Sequence, residues 1–417
     1  VAGLGAAAEL RRAGYAVEVL EAEAEVGGLA RSFTRGGFRL EFGPHFVRST
    51  LAETAGVCDR CVPVSAAEAI HYAGGLRAHP FGLLARPELV ASVLRARAWL
   101  LGRSEPPTSL RDALRRQLGA GFAAAIAEPL LEKWAGEEAG ALAPEAVGRL
   151  DPPELAVLLH HLWVTLTGRS RQLPRHGGAA WLYPTAGIGH VASSLAARAG
   201  LTPQLGARVE HIAVAGGRVA AVVAGGREWP ADLVVASLPR GQVLQTIGAA
   251  PATPALLEPR AVLFLGFAVA RARASRFHWT WFPGREWTFY RVGELKNAWA
   301  EAAPRHATLL QAEVACDVGD ERWADPEGLA RRVWPEVAAA YGLHDRELVG
   351  VETLRAPVAH PVVRERERAA WHELQPSPLS NLYLAGRFGV NRQWLMHEAY
   401  DSGVALARRA AREHAAP

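Results

Sequence analysis

The sequence predicts an α/β chain: a Rossmann-like domain with an α+β unit interleaved into it. Three observations predict this. A β-type run over residues 15–20 ends on Glu21 and follows an Ala-rich helical segment, residues 6–12, whose stop is Gly14. Gly3 stands 18 residues before Glu21, the spacing between the third glycine of a G-x-G-x-x-G turn and the acid that ends the second strand. A helical block, residues 80–173, and a mixed block, residues 254–365, then interrupt the α/β pattern before it returns near the C-terminus.

The stretch from Gly14 to His45 carries the first chemistry. An acid at the end of a second strand accepts hydrogen bonds from ribose hydroxyls, the role expected of Glu21, with Ala22 beside it. Gly27 and Gly28 follow, and with no Cβ their N–H groups can approach a phosphate; Arg31 can add charge-assisted bonds to the same oxygens. A second β-type run then stops at Gly43-Pro44-His45. The chain opens at Val1-Ala2-Gly3 and its one methionine is Met396, so the sequence is read as lacking a short N-terminal piece with the first strand and the first two glycines.

Beyond residue 45 the pattern gives loop, helix and a return toward the sheet, then helices over 87–101, 109–118, 123–135 and 152–167. Strands are expected over 207–214, 218–224 and 231–237, separated by Gly216-Gly217 and Gly225-Gly226, a hairpin signal. The mixed block offers strands at 261–268, 279–292 and 307–316 and an amphipathic helix at 325–341. The chain closes with a buried strand ending at Gly386-Arg387 and a helix from Met396 to about Arg412.

Composition narrows the class. The 417 residues, half of them apolar, can bury a large core and exceed one ordinary domain. Lys133 and Lys296 are the only lysines among 46 basic residues, and the net charge is +4, so the arginines read as scattered solvated faces and no nucleic-acid partner is expected. Three cysteines make no disulfide framework, and Cys58-Asp59-Arg60-Cys61 lacks a second pair to complete a zinc site, so no metal is expected and the compartment is read as the reducing cytoplasm. No apolar run reaches the ~18 residues that span a bilayer.

Three stretches in order, 3–45, 181–237 and 381–403, resemble the amine oxidase and protoporphyrinogen oxidase superfamily, which includes UDP-galactopyranose mutase-like flavoproteins. After its acid that superfamily has a glycine pair and a basic residue, as at Glu21, Gly27, Gly28 and Arg31. Trp181 to Gly189 is similar to its Y-P-x-G-G motif, with Ala186 in place of one glycine and hence less backbone freedom in the turn. Met396 to Gly403 resembles its M-D-x-A-I-x-x-G motif, with His397 for the acid and Tyr400 for an aliphatic. Glu128 to Gly136 is similar to a P-Y-x-x-K-x-W-G stretch; there Lys133 beside Trp134 is read as a structural corner.

The resemblance implies an FAD-binding domain made of 1–75, 181–253 and 375–417, and a substrate or cap domain made of 76–180 and 254–374. It implies that a backbone group at Val209 holds the adenine edge, that Gly386 and Arg387 meet the ribityl-pyrophosphate, and that the helix beginning at Met396 faces the flavin. Gly43, Pro44 and His45 follow the strand expected to abut the isoalloxazine. Trp281 and Tyr290 are candidates for an apolar substrate cavity, and Arg291 is the candidate anchor for an anionic substrate.

The expected activity is FAD-dependent oxidation, with hydride from an amine, a porphyrinogen-like or an unsaturated apolar small molecule. An apolar substrate would favour peripheral membrane contact. Two other readings stay open: a non-redox flavoenzyme resembling UDP-galactopyranose mutase, and a flavin-binding protein without turnover.

Overall fold

The computed structural model describes residues 1–64, 67–79, 86–100, 106–147, 181–248, 259–368, 379–390 and 395–414. The helix expected over 152–167 lies outside these.

Helix Ala2–Arg12 opens the chain and packs along helix Met396–Glu413. Small residues set that distance. A Cβ on Gly403 would stand 2.0 Å from the Ala2 carbonyl oxygen, and one on Gly5 2.6 Å from that of Tyr400. Behind the helix pair, Val234–Ala236 and Leu382–Leu384 form a parallel ladder, so the two distant segments that carry them meet in one layer. Ala6, Leu10 and Ala407 are buried against Val17, Leu233 and Val235.

The run 15–20 does not become a full strand. It forms one parallel bridge, Leu20 to Gln204, with Gln204 N donating to Val19 O (2.8 Å), Glu21 N to Gln204 O (2.9 Å) and Ala207 N to Glu21 O (2.8 Å). Val209–Ala215, Arg218–Ala224 and Arg227–Pro230 make an antiparallel meander. The second Gly-Gly turn therefore leads into Arg227–Pro230, and the buried strand after it leaves to pair with Leu382–Leu384.

The large sheet has, in spatial order, Leu348–His360, Arg260–Val269, Thr308–Cys316, Arg291–Gly293, Trp279–Trp281, Glu68–Tyr72 and Gly75–Ala78. Strand Arg260–Val269, second in that order, shows why the sequence reads as continuously apolar: both faces are covered. Ala261, Leu263, Leu265, Phe267 and Val269 point toward helix Pro326–Tyr341, and Val262, Phe264 and Ala268 point the other way, onto Leu40, Phe42 and Leu130. The hairpin Glu68–Tyr72 with Gly75–Ala78 joins this sheet through a parallel pairing with Trp279–Trp281. By hydrogen bonding, residues 68–78 thus go with 260–360, and the expected boundary at 75 falls inside a hairpin.

Helices Pro87–Leu100, Leu110–Leu118 and Glu128–Ala135 match the expected helical block. Ser109 caps the second of them, its hydroxyl accepting from Asp112 N at 3.2 Å. Lys133 is the structural corner the sequence suggested. Its ammonium donates to Phe282 O (2.9 Å), Phe289 O (3.2 Å) and Gly284 O, clipping the helix to the Trp279 hairpin, and burial pushes its pKa down to about 8.

Candidate functional site

Around the first turns of helix Ala2–Arg12 the structure gathers residues that the sequence scatters. The Glu21 carboxylate accepts from Glu23 N at 3.1 Å and lies near Val1, the residue before the helix. Gly27 and Gly28 turn the chain with φ of +126° and +63°, values open to glycine and strained for other residues. The space beyond a Cβ on Gly28 is empty to 4 Å. Arg31 closes the turn, donating to Gly28 O (2.8 Å) and Glu23 Oε2 (2.9 Å), with its guanidinium 5.2 Å from the centre of the Phe42 ring.

The C-terminal motif reaches the same place. A Cβ on Gly386 would lie 3.0 Å from that of Ala2, and Gly386 N donates to Ser402 Oγ at 3.2 Å. Met396 begins its helix and packs on the core that holds Leu4, Ala7 and Ala30. Val209 packs on a neighbouring core together with Leu20. Arg387 turns toward the end of the large sheet, donating to Ala359 O at 3.0 Å.

Beside the Gly43-Pro44 turn is a narrow cleft with about 20 Å³ of room, lined by Arg39, Glu41, Gly43, Pro44, Gly293, Leu295, Leu309, Gln311 and Glu313. Gly43 is forced by closeness, since a Cβ there would stand 3.0 Å from an Arg291 guanidinium nitrogen and 3.2 Å from Glu313 Oε1. Gly43 and Pro44 thus bound this cleft, with half-buried His45 next in the chain.

The expected substrate trio lies together, but none of the three lines the cleft. Arg291 is held by Glu313 through two bonds of 2.8 Å, from Nε and from the guanidinium terminus, and stacks over Trp281 at 4.9 Å. The Tyr290 hydroxyl, buried, donates to Glu313 Oε2 at 2.6 Å and lies 3.1 Å from His360 Nε2. The role of anionic-substrate anchor is therefore withdrawn from Arg291: its charge is matched by a carboxylate directly across the strand pair.

The residue the sequence reading missed is Glu41. Its Oε1 accepts from Ser32 Oγ (2.7 Å), Tyr183 Oη (2.8 Å) and Ile188 N (3.0 Å), while its Oε2, also buried, has no hydrogen-bond partner among the described residues. Burial is the main reason its pKa is pushed up to about 7, against the pull of the three donors and of Arg39. An acid closing a β-type run before Phe-Gly-Pro was the available signal. The same contacts revise the reading of Ala186. The residue with positive φ is Gly187 (+94°), where a Cβ would strike Arg39 and Ser32, so alanine at 186 takes no freedom from the turn; its carbonyl accepts from Arg39 at 2.8 Å.

A raised carboxyl pKa fixes the sign of a stability effect. Between the ordinary value, 4.5, and about 7 the folded state binds more protons than the unfolded one, so the contribution of Glu41 weakens the fold as pH rises through that window. The whole effect is on the order of 3 kcal/mol. Glu41→Gln, which keeps one carbonyl oxygen for the three donors, is expected to remove this slope. Urea unfolding at pH 5 and pH 8 measures it, and equal slopes in both proteins would refute the assignment.

No helix among the described residues is long and apolar enough to cross a membrane, and those residues contain no cluster of three or more metal-ligating side chains. No curated protein matches the chain in sequence. Solved structures do: a reduced UDP-galactopyranose mutase (19% identity, TM-score 0.81, covering 100% of this chain and 94% of that one). A protoporphyrinogen oxidase-like protein from Exiguobacterium sp. 255-15 follows (18%, TM-score 0.71, 99% and 97%), as does cyclohexylamine oxidase from Brevibacterium oxydans IH-35A (15%, TM-score 0.66, 99% and 97%). At such identities these likenesses establish the fold. A sequence model described as flavin containing amine oxidoreductase matches residues 1–411, and on that extent of match the chain belongs to the flavin-containing amine oxidoreductase family.

Proposed function

We propose that the chain binds FAD, extended from Glu21 to the Gly386 and Met396 region, and oxidises an amine by removing hydride from a C–H bond next to nitrogen. Segments 1–75, 181–253 and 375–417 carry the cofactor, apart from the hairpin 68–78, and 76–180 with 254–374 carry the substrate side. The observation that supports this most is the meeting of Glu21, the Gly27-Gly28 turn, Gly386 and Met396 around one helix start. The donor chemistry fits the cofactor: an acid for ribose hydroxyls, unpaired N–H groups at the start of helix Ala2–Arg12, and open space beside Gly28. Bound FAD supplies the two-electron acceptor. Arg31 stiffens the glycine turn, Val209 borders the adenosine end, and Gly386 lets the C-terminal motif come close to the helix start.

The amine reading is favoured over a sugar-diphosphate one by the charges around the cleft. Arg39 and Arg291 are engaged by Ala186 O and Glu313, whereas a carboxyl oxygen of Glu41 is not engaged. The protein loaded with FAD is expected to be bleached by primary amines under anaerobic conditions. Turnover seen only with prereduced protein, and no bleaching by any amine, would sink the oxidation reading. Glu21→Ala is expected to loosen FAD roughly tenfold or more, the worth of hydrogen bonds to a charged acceptor. Retention unchanged in a cofactor titration would refute the role of Glu21.

A further inference from the structure

The Cys58-Asp59-Arg60-Cys61 stretch is a motif of the sequence that the cofactor reading leaves unused. Residues Cys58–Arg60 form a single 3-10 turn, closed by Cys61 N donating to Cys58 O. A turn closed in this way keeps its outer Cα atoms within about 7 Å, the limit a disulfide can bridge, and side chains three apart on it lie one above the other. The backbone on both sides is fixed. Helix Ser49–Ala55 precedes the turn, and strand Cys61–Pro63 follows it, paired with Trp181–Pro184. Arg60 O, between the two cysteines, accepts from Thr185 N (2.9 Å) and Thr185 Oγ1 (3.1 Å). The thiols are separate here, Cys61 Sγ donating to Val57 O (3.1 Å) and Cys58 Sγ to Ser49 O (3.9 Å). With the Cα atoms already at bridging distance, rotation of the two side chains brings the sulfurs together.

We propose that Cys58 and Cys61 are a redox-active dithiol, which a small-molecule disulfide oxidises to an intramolecular disulfide. The two play different parts. Cys58 is exposed and meets the oxidant, Cys61 is half-buried, and Cys316, buried in the core of the large sheet, takes no part. In the first step Cys58 gives its proton to solvent and its sulfur attacks one sulfur of the oxidant, whose S–S bond breaks and whose other half takes up a proton and leaves as a thiol. In the second, Cys61 gives up its proton and attacks the Cys58 sulfur of the mixed disulfide, releasing the remaining half as a thiol. Two protein thiols are oxidised and one external disulfide is reduced to two thiols, so atoms and electrons balance. The surroundings favour the bridged form over a thiolate. Burial is the main reason both thiols lie above their ordinary pKa, with Glu53 and Asp59 adding to it at Cys58; at Cys61 the neighbouring thiol and Asp59 add to it against the pull of Arg60, and the pKa reaches about 11. A dithiol whose thiolate is not stabilised holds its disulfide firmly, the reverse of low-pKa dithiols, whose stabilised thiolate makes them strong oxidants.

The probe is glutathione disulfide in excess, incubated with the full-length, FAD-loaded protein, after which free thiols are alkylated and the peptides weighed. Expected in the unmodified protein are the loss of two alkylatable thiols, a link between Cys58 and Cys61, no retained glutathione, and reversal by dithiothreitol. The rate is expected to rise roughly tenfold per pH unit between pH 6 and pH 8, as thiolate at Cys58 becomes available. Cys61→Ser is expected to trap glutathione on Cys58, since no second thiol is left to expel it. Cys58→Ser is expected to react roughly tenfold more slowly or worse, because the remaining thiol is half-buried and harder to ionise. A stable glutathione adduct on Cys58 of the unmodified protein, both thiols still free to alkylate, or a link through Cys316 would overturn the assignment whether or not the variants fold. None of these readouts depends on the flavin, so failure of the amine reaction leaves the dithiol standing, and failure of the dithiol leaves that reaction untouched.

Discussion

Arg291→Met is expected to destabilise the fold by about 3–5 kcal/mol, the cost of leaving one member of a buried ion pair without the other. The geometry makes this site a severe case. Glu313 is 1% exposed, and Arg291 meets it with two parallel bonds of 2.8 Å. Tyr290, also buried, donates to the same carboxylate at 2.6 Å, so one missing guanidinium leaves a charged acceptor held by a single neutral hydroxyl. Backbone relaxation is limited, because Gly43 closes on the pair and Trp281 covers the guanidinium. The double variant Arg291→Met with Glu313→Met removes both charges and is expected to cost clearly less than the single one. Urea unfolding of the unmodified protein, Arg291→Met, Glu313→Met and the double variant gives the comparison. If the double variant is as unstable as the sum of the singles, the pair contributes nothing as a pair.

Gly403→Ala is expected to destabilise the fold by about 3 kcal/mol or more, with loss of FAD retention. The added Cβ would stand 2.0 Å from the Ala2 carbonyl oxygen, 2.9 Å from its carbon and 3.1 Å from Ala6 N. All three are backbone atoms of one helix, so no side chain can swing away, and helix Ala2–Arg12 has to separate from helix Met396–Glu413. That motion moves Gly386 and Met396 away from Glu21 and the glycine turn. Gly217→Ala is the control: its φ is +74°, but nothing stands within 4 Å of a Cβ there, so only backbone strain remains, about 1 kcal/mol. Thermal melts with and without added FAD separate the two. A Gly403→Ala protein that melts with the unmodified one would show that the helices are not in the contact described.

What was legible in the sequence was local. Helix Pro326–Tyr341 announces itself by apolar spacing and by Asp325, whose carboxylate caps Gly328 N at 2.8 Å. The hairpin turns at Gly216-Gly217 and Gly225-Gly226 are written in dipeptides. The run 15–20 was read as a strand and forms only one bridge, because ladder bonds need a partner segment and the described partner is the short stretch around Gln204. Leu348–His360 went unread as a strand, since Gly350 and Pro357 interrupt its apolar run and, at the edge of the sheet, Val349 and Val351 stay exposed.

The same division holds for the chemistry. Glu21, the glycine pair, Gly386 and Met396 could be chosen from the sequence because each role is defined by its immediate neighbours: a strand end, a tight turn, a helix start. Arg291 could be noticed beside its aromatics, but only the register that sets it opposite Glu313 decides that its charge is matched internally. Glu41 left only a local signal, an acid closing a β-type run, because its donors come from Ser32, Tyr183 and Ile188, which meet only when the hairpin, the returning strand and the following helix close on one another. Sequence by itself determined the elements and the family, since propensity, capping and turn chemistry act over a few residues. Tertiary structure decided which charges are matched and which carboxyl oxygen is left bare, since desolvation and pairing depend on atoms that are distant along the chain and adjacent in space.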